Sequence, residues 1–405
     1  MPSLYVHVPF CLKKCAYCAF YSIPLAGCRE DWKGIYLQAV AEEAKLRSKE
    51  AQGGVSSLFL GGGTPTILEP LELDSLLSAI HKNFSFGSPQ NTASPPEGSK
   101  AQQKEIEKTV EANPGTLTKE KLNVLVSYGI NRISLGAQSF NDRMLVQIGR
   151  IHNKEDIRRS VWLIRQGGIH NLNLDLIFGL PGQTLTDWQD TLRRAVELEP
   201  EHLSLYALML EEGTPLARKF SSNPLNVVEE GDPVLPDDDI QADMYEWAAG
   251  FLQQQGYRHY EISNFARAGF ECRHNLTYWQ SEEYLGLGPG AVSCLGGVRT
   301  KNTENLELYG KLLFAGREAF DPLETEVLTR EQKISEYLML ALRTAKGVDL
   351  NAFTQKFKES IQDIYGLKLI KYIDKGVLIQ DEGRLRVNPR YFFVLNSLLV
   401  DIICQ

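Results

Sequence analysis

Short runs in which alternate residues are apolar, such as Leu4-Tyr-Val-His-Val8, recur between longer stretches in which apolar residues return every three or four positions. The first pattern predicts β-strands near residues 4–8, 57–60, 109–112, 132–135, 172–177 and 202–208. The second predicts amphipathic helices over 31–49, 71–83, 118–128, 154–166 and 184–198. Strand and helix alternating in this way imply βα units and a parallel sheet. Six such units are two short of a closed eight-stranded barrel, so the fold class expected is α/β: a partial (βα)6 barrel over residues 1–220. Residues 87–103, rich in Pro, Ser, Gly and Gln, interrupt the pattern and read as a mobile insertion. Residues 221–236 read as a linker, and 237–325 as an extension of the barrel opening with a helix over 237–255. The pattern from 326 to 405 is mostly helical, with apolar runs at 377–379 and 385–387 that suggest the wing of a winged-helix-like domain.

Composition narrows the class of protein. The chain has 405 residues, 43% hydrophobic and 23% charged, which suits a folded protein of more than one domain. A formal net charge of −8 argues against nucleic acid as the principal partner. The N-terminal residues have neither the basic nor the apolar region of a signal peptide, and nowhere do 18 apolar residues run together. A cytoplasmic protein with no stable membrane insertion is expected.

The chemistry is concentrated at the strand ends. Active sites of βα barrels form where the strands end at their carboxyl side. The cysteines follow the first predicted strand, Gly61-Gly-Gly-Thr64 the second, and Glu111-Ala-Asn-Pro114 closes the third. Gln138 follows the fourth, and Asp175 lies on the fifth. Of seven cysteines, three stand in Cys11-Leu-Lys-Lys-Cys15-Ala-Tyr-Cys18. Three clustered thiolates can hold three irons of a [4Fe–4S] cluster and leave the fourth open to another ligand, where ordinary electron-transfer clusters use four cysteines. The alternative is zinc, with His7 or Cys28 as the fourth ligand. Cys28, Cys272, Cys294 and Cys404 are scattered, as buried small apolar residues would be.

Together, Tyr5-Val-His-Val-Pro-Phe-Cys11, Gly61-Gly-Gly-Thr-Pro-Thr66, Glu111-Ala-Asn-Pro114, Gly136-Ala-Gln-Ser-Phe140, Gly149-Arg-Ile-His152 and Asn173-Leu-Asp-Leu-Ile-Phe-Gly-Leu-Pro181 resemble the radical S-adenosylmethionine (SAM) superfamily. More narrowly, they resemble the family of oxygen-independent coproporphyrinogen III oxidases. The resemblance implies a [4Fe–4S] cluster on Cys11, Cys15 and Cys18 that presents SAM at its open iron. It implies that Gly61, Gly62 and Gly63 let backbone approach the cofactor, and that Thr64, Glu111 and Arg150 bind its methionyl and ribose groups. Gln138 and Asp175 would bind ribose hydroxyls, Asp175 of a second cofactor molecule as an option. Tyr5 would lie near the sulfonium, and Tyr17 beside the adenine.

The branch within this family decides the function. The oxidase pattern has a fourth cysteine where this chain has Phe20, and an extension ahead of the cluster where Cys11 here is close to residue 1. His274-Asn-Leu-Thr-Tyr-Trp279 resembles the signature of the HemW-type haem chaperone branch. That resemblance implies haem as a third ligand, with His274 as a candidate axial ligand and Tyr278 and Trp279 against the porphyrin face. A haemoprotein acceptor and an electron donor would be partners. Val292 stands where the branch usually has histidine, which leaves Cys272 and Cys294 as nearby soft ligands. The rival expectation is a radical enzyme that abstracts hydrogen from a porphyrinogen propionate.

Overall fold

The parallel strands β1 (Ser3–Val8), β2 (Ser57–Gly62), β3 (Glu107–Ala112), β4 (Arg132–Gln138), β5 (Asn171–Phe178) and β6 (His202–Ala207) stand side by side in chain order. They come from a computed structural model that describes residues 1–87, 105–221 and 233–403. Residues 88–103 of the predicted insertion, 222–232 of the predicted linker, and Cys404 lie outside the described residues.

Helices α1 (Trp32–Arg47), α2 (Pro70–Asn83), α3 (Lys119–Ser127), α4 (Lys154–Gln166) and α5 (Leu185–Glu197) connect the strands. Local sequence explains their limits. Asn153 and Asp156 form a reciprocal capping box at the start of α4, and Thr184 and Asp187 form another on α5. Both helices turn an apolar face inward: Ile157, Val161 and Ile164 on α4, Trp188, Leu192 and Ala195 on α5.

One strand extends this picture. Tyr284–Leu287 (β9) pairs in parallel with β1 on the edge opposite β6, so seven strands run parallel, not six. The short run Tyr-Leu-Gly-Leu, followed by Gly288 and Gly290, carries a weak strand signal because glycine interrupts it. Gly286 is required there, since a Cβ on it would collide with the Val292 carbonyl. Antiparallel strands complete both edges: β7 (Arg258–Glu261), which follows helix α6 (Asp238–Gln254), and β8 (Asn264–Ala266) beyond β6, and β10 (Val292–Leu295), β11 (Val298–Lys301) and β12 (Glu326–Val327) beyond β9. The sheet therefore has two ends and does not close on itself, as a partial barrel requires.

Alternation along the strands gives the barrel an apolar outside and a polar inside. Leu4, Val6, Leu58, Leu60, Ile133, Leu135, Leu172 and Leu174 are buried in the main hydrophobic core. Their neighbours at odd spacing, among them Tyr5, Phe59, Glu111, Ser134, Asn173 and Asp175, line an interior cavity of about 190 Å³. Parallel strands buried on both faces usually carry continuous apolar runs. Here the period of two marks a hollow, polar lumen.

From Arg330 the chain forms helices Arg330–Ala341, Leu350–Phe357, Ile361–Asp374 and Leu395–Ile403, with a separate three-stranded sheet. In that sheet Arg384–Val387 lies between Val348–Asp349 and Leu378–Asp381. This order of helices and strands is the topology expected of a winged-helix-like unit.

Candidate functional site: the mouth of the barrel

Cys11 ends a two-residue strand, Phe10–Cys11, that pairs with Ile23–Pro24 and so closes the cysteine loop at its base. The loop is pinned from the barrel side too. Ala16 N–H donates to the Ile148 carbonyl at 3.0 Å, and Leu216 N–H to the Ala16 carbonyl at 2.8 Å. All three thiols are half-buried. Burial pushes the Cys11 and Cys18 thiols up, with Cys15 a neighbour of both. The described residues do not bring three or more His, Cys, Asp or Glu groups into a ready-made metal-binding arrangement. His7 is unsuited to the zinc alternative. Its Nε2 bonds the Tyr21 carbonyl at 2.9 Å and its Nδ1 the Tyr5 hydroxyl at 3.1 Å, so neither nitrogen is spare.

The ends of β2, β3 and β4 face this loop. The glycine run owes its composition in part to packing: a Cβ on Gly62, where φ is +103°, would collide with the His7 ring, and one on Gly63 would lie 2.6 Å from the Phe10 carbonyl. Gly62 N–H donates to Glu111 Oε2 at 3.0 Å. Burial, and then the Asp175 carboxylate, push the Glu111 carboxyl up to about 7. Asp175 is also pushed up by burial, and accepts from Ser134 Oγ at 3.0 Å and Asn173 Nδ2 at 2.8 Å. Gln138 is buried in the left-handed region, φ +65°, at a register shift between β4 and β5. Such strain in a non-glycine residue is concentrated at functional sites. Tyr17 packs in a small apolar cluster with Ile148, Ile177 and Leu208.

Arg150 occupies the centre. It donates through Nη1 to Cys15 Sγ at 3.3 Å and through Nη2 to Asn113 Oδ1 at 2.6 Å and the Gly136 carbonyl. Its Nε is buried without a partner among the described residues. A buried donor left unpaired is costly, and a ligand oxygen would satisfy it. Thiols, an unsatisfied guanidinium donor and a carboxyl near neutrality fit a metal cluster with an amino-acid-like ligand. Sequence reasoning missed Asn113 as an individual residue, although the Glu111-Ala-Asn-Pro114 motif contained it. It also missed Arg132, a fully buried cation that lines the interior cavity.

His274, expected as a haem ligand, is placed away from the cysteine loop. It lies on the seven-residue helix α7 (Arg273–Trp279), which closes the opposite, N-terminal end of the barrel. Glu107, at the start of β3, accepts from the backbone N–H groups of Arg273 and His274 at 3.1 and 3.0 Å and from Cys272 Sγ at 3.4 Å. His274 is 1% exposed, with Nδ1 on Ser57 Oγ at 2.9 Å and Nε2 on the Tyr278 hydroxyl at 3.0 Å. It stacks on Phe59 with centroids 5.0 Å apart, and burial, with Arg132 second, pushes it down to about 3. Both ring nitrogens are engaged, and the adjoining cavity of about 190 Å³ is smaller than the roughly 300–1,000 Å³ of drug-sized sites. Cys272 is buried in the same floor, and Cys294 is half-buried on β10 opposite Tyr284.

Comparison with known proteins agrees with this architecture. The family model of the radical SAM superfamily matches residues 5–195, and that of the HemN C-terminal domain residues 328–394. The heme chaperone HemW of Lactococcus lactis is 35% identical over 98% of this chain and 96% of its own length. The chain belongs to the HemW family of the radical SAM superfamily. A mouse relative, mitochondrial radical S-adenosyl methionine domain-containing protein 1, is 32% identical over 100% of this chain and 87% of its own length. Escherichia coli coproporphyrinogen III oxidase, HemN, a radical SAM enzyme, superposes with a TM-score of 0.81 at 25% identity, over 100% of this chain and 90% of HemN. The partial barrel and its C-terminal unit are thus common to HemW and HemN. Membership implies a [4Fe–4S] cluster and SAM. Among the described residues no helix is long and apolar enough to cross a membrane.

Proposed function

We propose that this chain is a haem chaperone: it binds haem and passes it to haemoproteins, with the cluster and SAM governing assembly or transfer. The observation that carries this reading is the near full-length similarity to a protein named heme chaperone HemW. The cluster loop cannot discriminate, because the oxidase uses the same kind of barrel. Phe20, 71% exposed, stands where the oxidase pattern has its fourth cysteine, and favours the chaperone.

In this reading Cys11, Cys15 and Cys18 ligate three irons, and the cluster supplies an open iron for the methionyl amine and carboxylate of SAM. Glu111 meets the amine, and Arg150 offers its unpartnered Nε to the carboxylate. Thr64, Gly61, Gly62 and Gly63 border the methionyl and ribose groups, and Gln138 and Asp175 take ribose hydroxyls. Tyr5 and Tyr17 supply aromatic faces for the sulfonium and the adenine. Haem binds outside the lumen, without His274 as ligand. The acceptor is a haemoprotein and the reductant an electron donor, both met in the cytoplasm. The domain limits follow the same reading: barrel 1–220, linker 221–236, extension 237–325 and C-terminal unit 326–405.

A second reading is favoured by the HemN superposition: an oxygen-independent coproporphyrinogen III oxidase. Haemin titration of the purified protein, followed by mixing with an apo-haemoprotein, tests the chaperone reading. A Soret shift on titration, then a second shift on transfer, is expected. Absence of haem binding by the wild type would move the assignment to the enzyme.

A further inference from the structure

Four contacts at the barrel mouth form one chain between two thiols: Arg150 Nη1 to Cys15 Sγ, Arg150 Nη2 to Asn113 Oδ1, Asn113 Nδ2 to Thr64 Oγ1 at 2.8 Å, and Thr64 Oγ1 to Cys11 Sγ at 3.5 Å. Either atom of the last pair could carry the proton while Cys11 is a thiol; as a cluster ligand Cys11 is a thiolate, and only the Thr64 hydroxyl can donate. A guanidinium has donors and no acceptor, so the Asn113 atom facing it must be the carbonyl oxygen. The amide nitrogen therefore faces Thr64 and donates to it. Thr64 Oγ1 accepts that bond, so Asn113 does not draw the hydroxyl proton, which is free to point at the Cys11 thiolate.

We propose that Asn113 is a positioning residue for the iron–sulfur site: it sets the direction of this chain so that Cys11 and Cys15 both receive a hydrogen bond, which raises the reduction potential of the cluster they hold. The proposal rests on the cluster reading above. Donors aimed at cluster sulfurs stabilise the reduced, more negative state, and such hydrogen bonds are one of the protein's means of setting the potential. Asn113 touches neither thiol. It acts through Arg150 and Thr64, which lie on either side of it. The alternative role, that Asn113 merely ties β3 to its neighbours, is met equally by any residue of the same shape that keeps the packing.

Asn113→Asp separates the two. Aspartate is isosteric and still accepts from Arg150, but it cannot donate to Thr64, so the Thr64 proton turns to the carboxylate and Cys11 loses that donor while keeping Ser22. The added charge also offsets Arg150 beside Cys15. The experiment uses the full chain, reconstituted anaerobically, with iron content and an electron-paramagnetic-resonance redox titration as readouts. Asn113→Asp is expected to hold wild-type iron and to shift the oxidised-to-reduced ratio at fixed potential about tenfold, ~59 mV downward for one electron. Thr64→Val, which removes only the Thr64 hydroxyl beside Cys11, is expected to shift it in the same direction by less. An unchanged potential in Asn113→Asp overturns the proposal. Should that variant fail to fold, an unchanged potential in Thr64→Val does so instead. Failure of both variants to take up iron while melting like the wild type also overturns it, since the chain would then govern assembly and not potential. Absence of a cluster in the wild type would be a failure of the cluster reading, and is visible first.

Discussion

The two ends of the barrel carry equally distinctive polar motifs and use them in opposite ways. At the mouth, polar groups are left available to a ligand: three half-buried thiols, the buried, unpartnered Nε of Arg150, and a Glu111 carboxyl near neutrality. At the floor, most polar groups are closed on one another, although Arg132 Nε and Trp279 Nε1 are buried without a partner among the described residues. Glu107 is saturated by α7, His274 by Ser57 and Tyr278, and His202 by Asn173 Oδ1 at 2.6 Å and the Tyr260 hydroxyl at 2.8 Å. A polar group whose bonds are all made within the protein contributes to stability; one with a bond to spare is available to a ligand. By that criterion the cysteine motif is open to a ligand, while His274 itself is closed within the protein.

Substitutions at each end should therefore fail in different ways. The largest effect is expected at the mouth: replacing Cys11, Cys15 or Cys18 by alanine should abolish the broad visible absorption of anaerobically reconstituted protein. Melting of the apoprotein should hardly change, because the half-buried loop contributes little to the core. Stoichiometric zinc with no iron uptake in the wild type would contradict the assignment of the loop.

At the floor, Glu107→Ala leaves the first N–H groups of α7 without their acceptor and should cost about 2–4 kcal/mol by denaturant titration. Cluster content measured below the melting transition should stay near that of the wild type. A wild-type midpoint would show that α7 is not held in this way.

His274→Gln sharpens the contrast, because it tests a motif that could be read either way. Loss of two hydrogen bonds and of stacking on Phe59 should cost about 1–3 kcal/mol. The haemin titration should keep the wild-type Soret position. The wild-type imidazole, held neutral to about pH 3, should also make the protein acid-labile. Its folded pKa lies below the ordinary 6.5, so the stability it contributes is complete above that value and is lost as pH falls through the window between 6.5 and about 3. The slope of stability over that window should flatten in the variant.

The smallest effect concerns Glu111, whose folded pKa of about 7 lies above its ordinary 4.5. The sign is reversed here: protonation favours the folded state, so stability is greatest below pH 4.5 and declines as pH rises through 7. Glu111→Gln should remove that decline and gain about 1–2 kcal/mol at pH 8, part of the full shift being screened by water in the cavity. SAM affinity should fall at the same time. Stability gained while binding is lost is what distinguishes a ligand site from a structural one.

Much of this was legible in the chain itself. Helix α4 spans Lys154–Gln166, as its periodicity predicts, because its caps are written locally in Asn153 and Asp156. The six consecutive parallel strands and the cysteine loop were equally readable, since each depends on residues near in sequence. β9 was not, because Gly286 hides a strand whose partner, β1, lies far away in the chain. Nor was the placement of His274. The acceptor that fixes its backbone, Glu107, is 167 residues distant, and no local pattern reveals that both ring nitrogens are engaged. The polar lumen did leave a signal: strands that alternate in a parallel sheet, where continuous apolar runs are the rule, point to a hollow interior.

One measurement bears on the functional claim most directly. Anaerobically reconstituted wild-type protein, loaded with cluster, is incubated with coproporphyrinogen III, SAM and a reductant, and the porphyrin products are separated. The chaperone account predicts no protoporphyrinogen IX, while the same preparation binds haemin and yields it to an apo-haemoprotein. Multiple-turnover formation of protoporphyrinogen IX would contradict it and assign the chain to the oxidases.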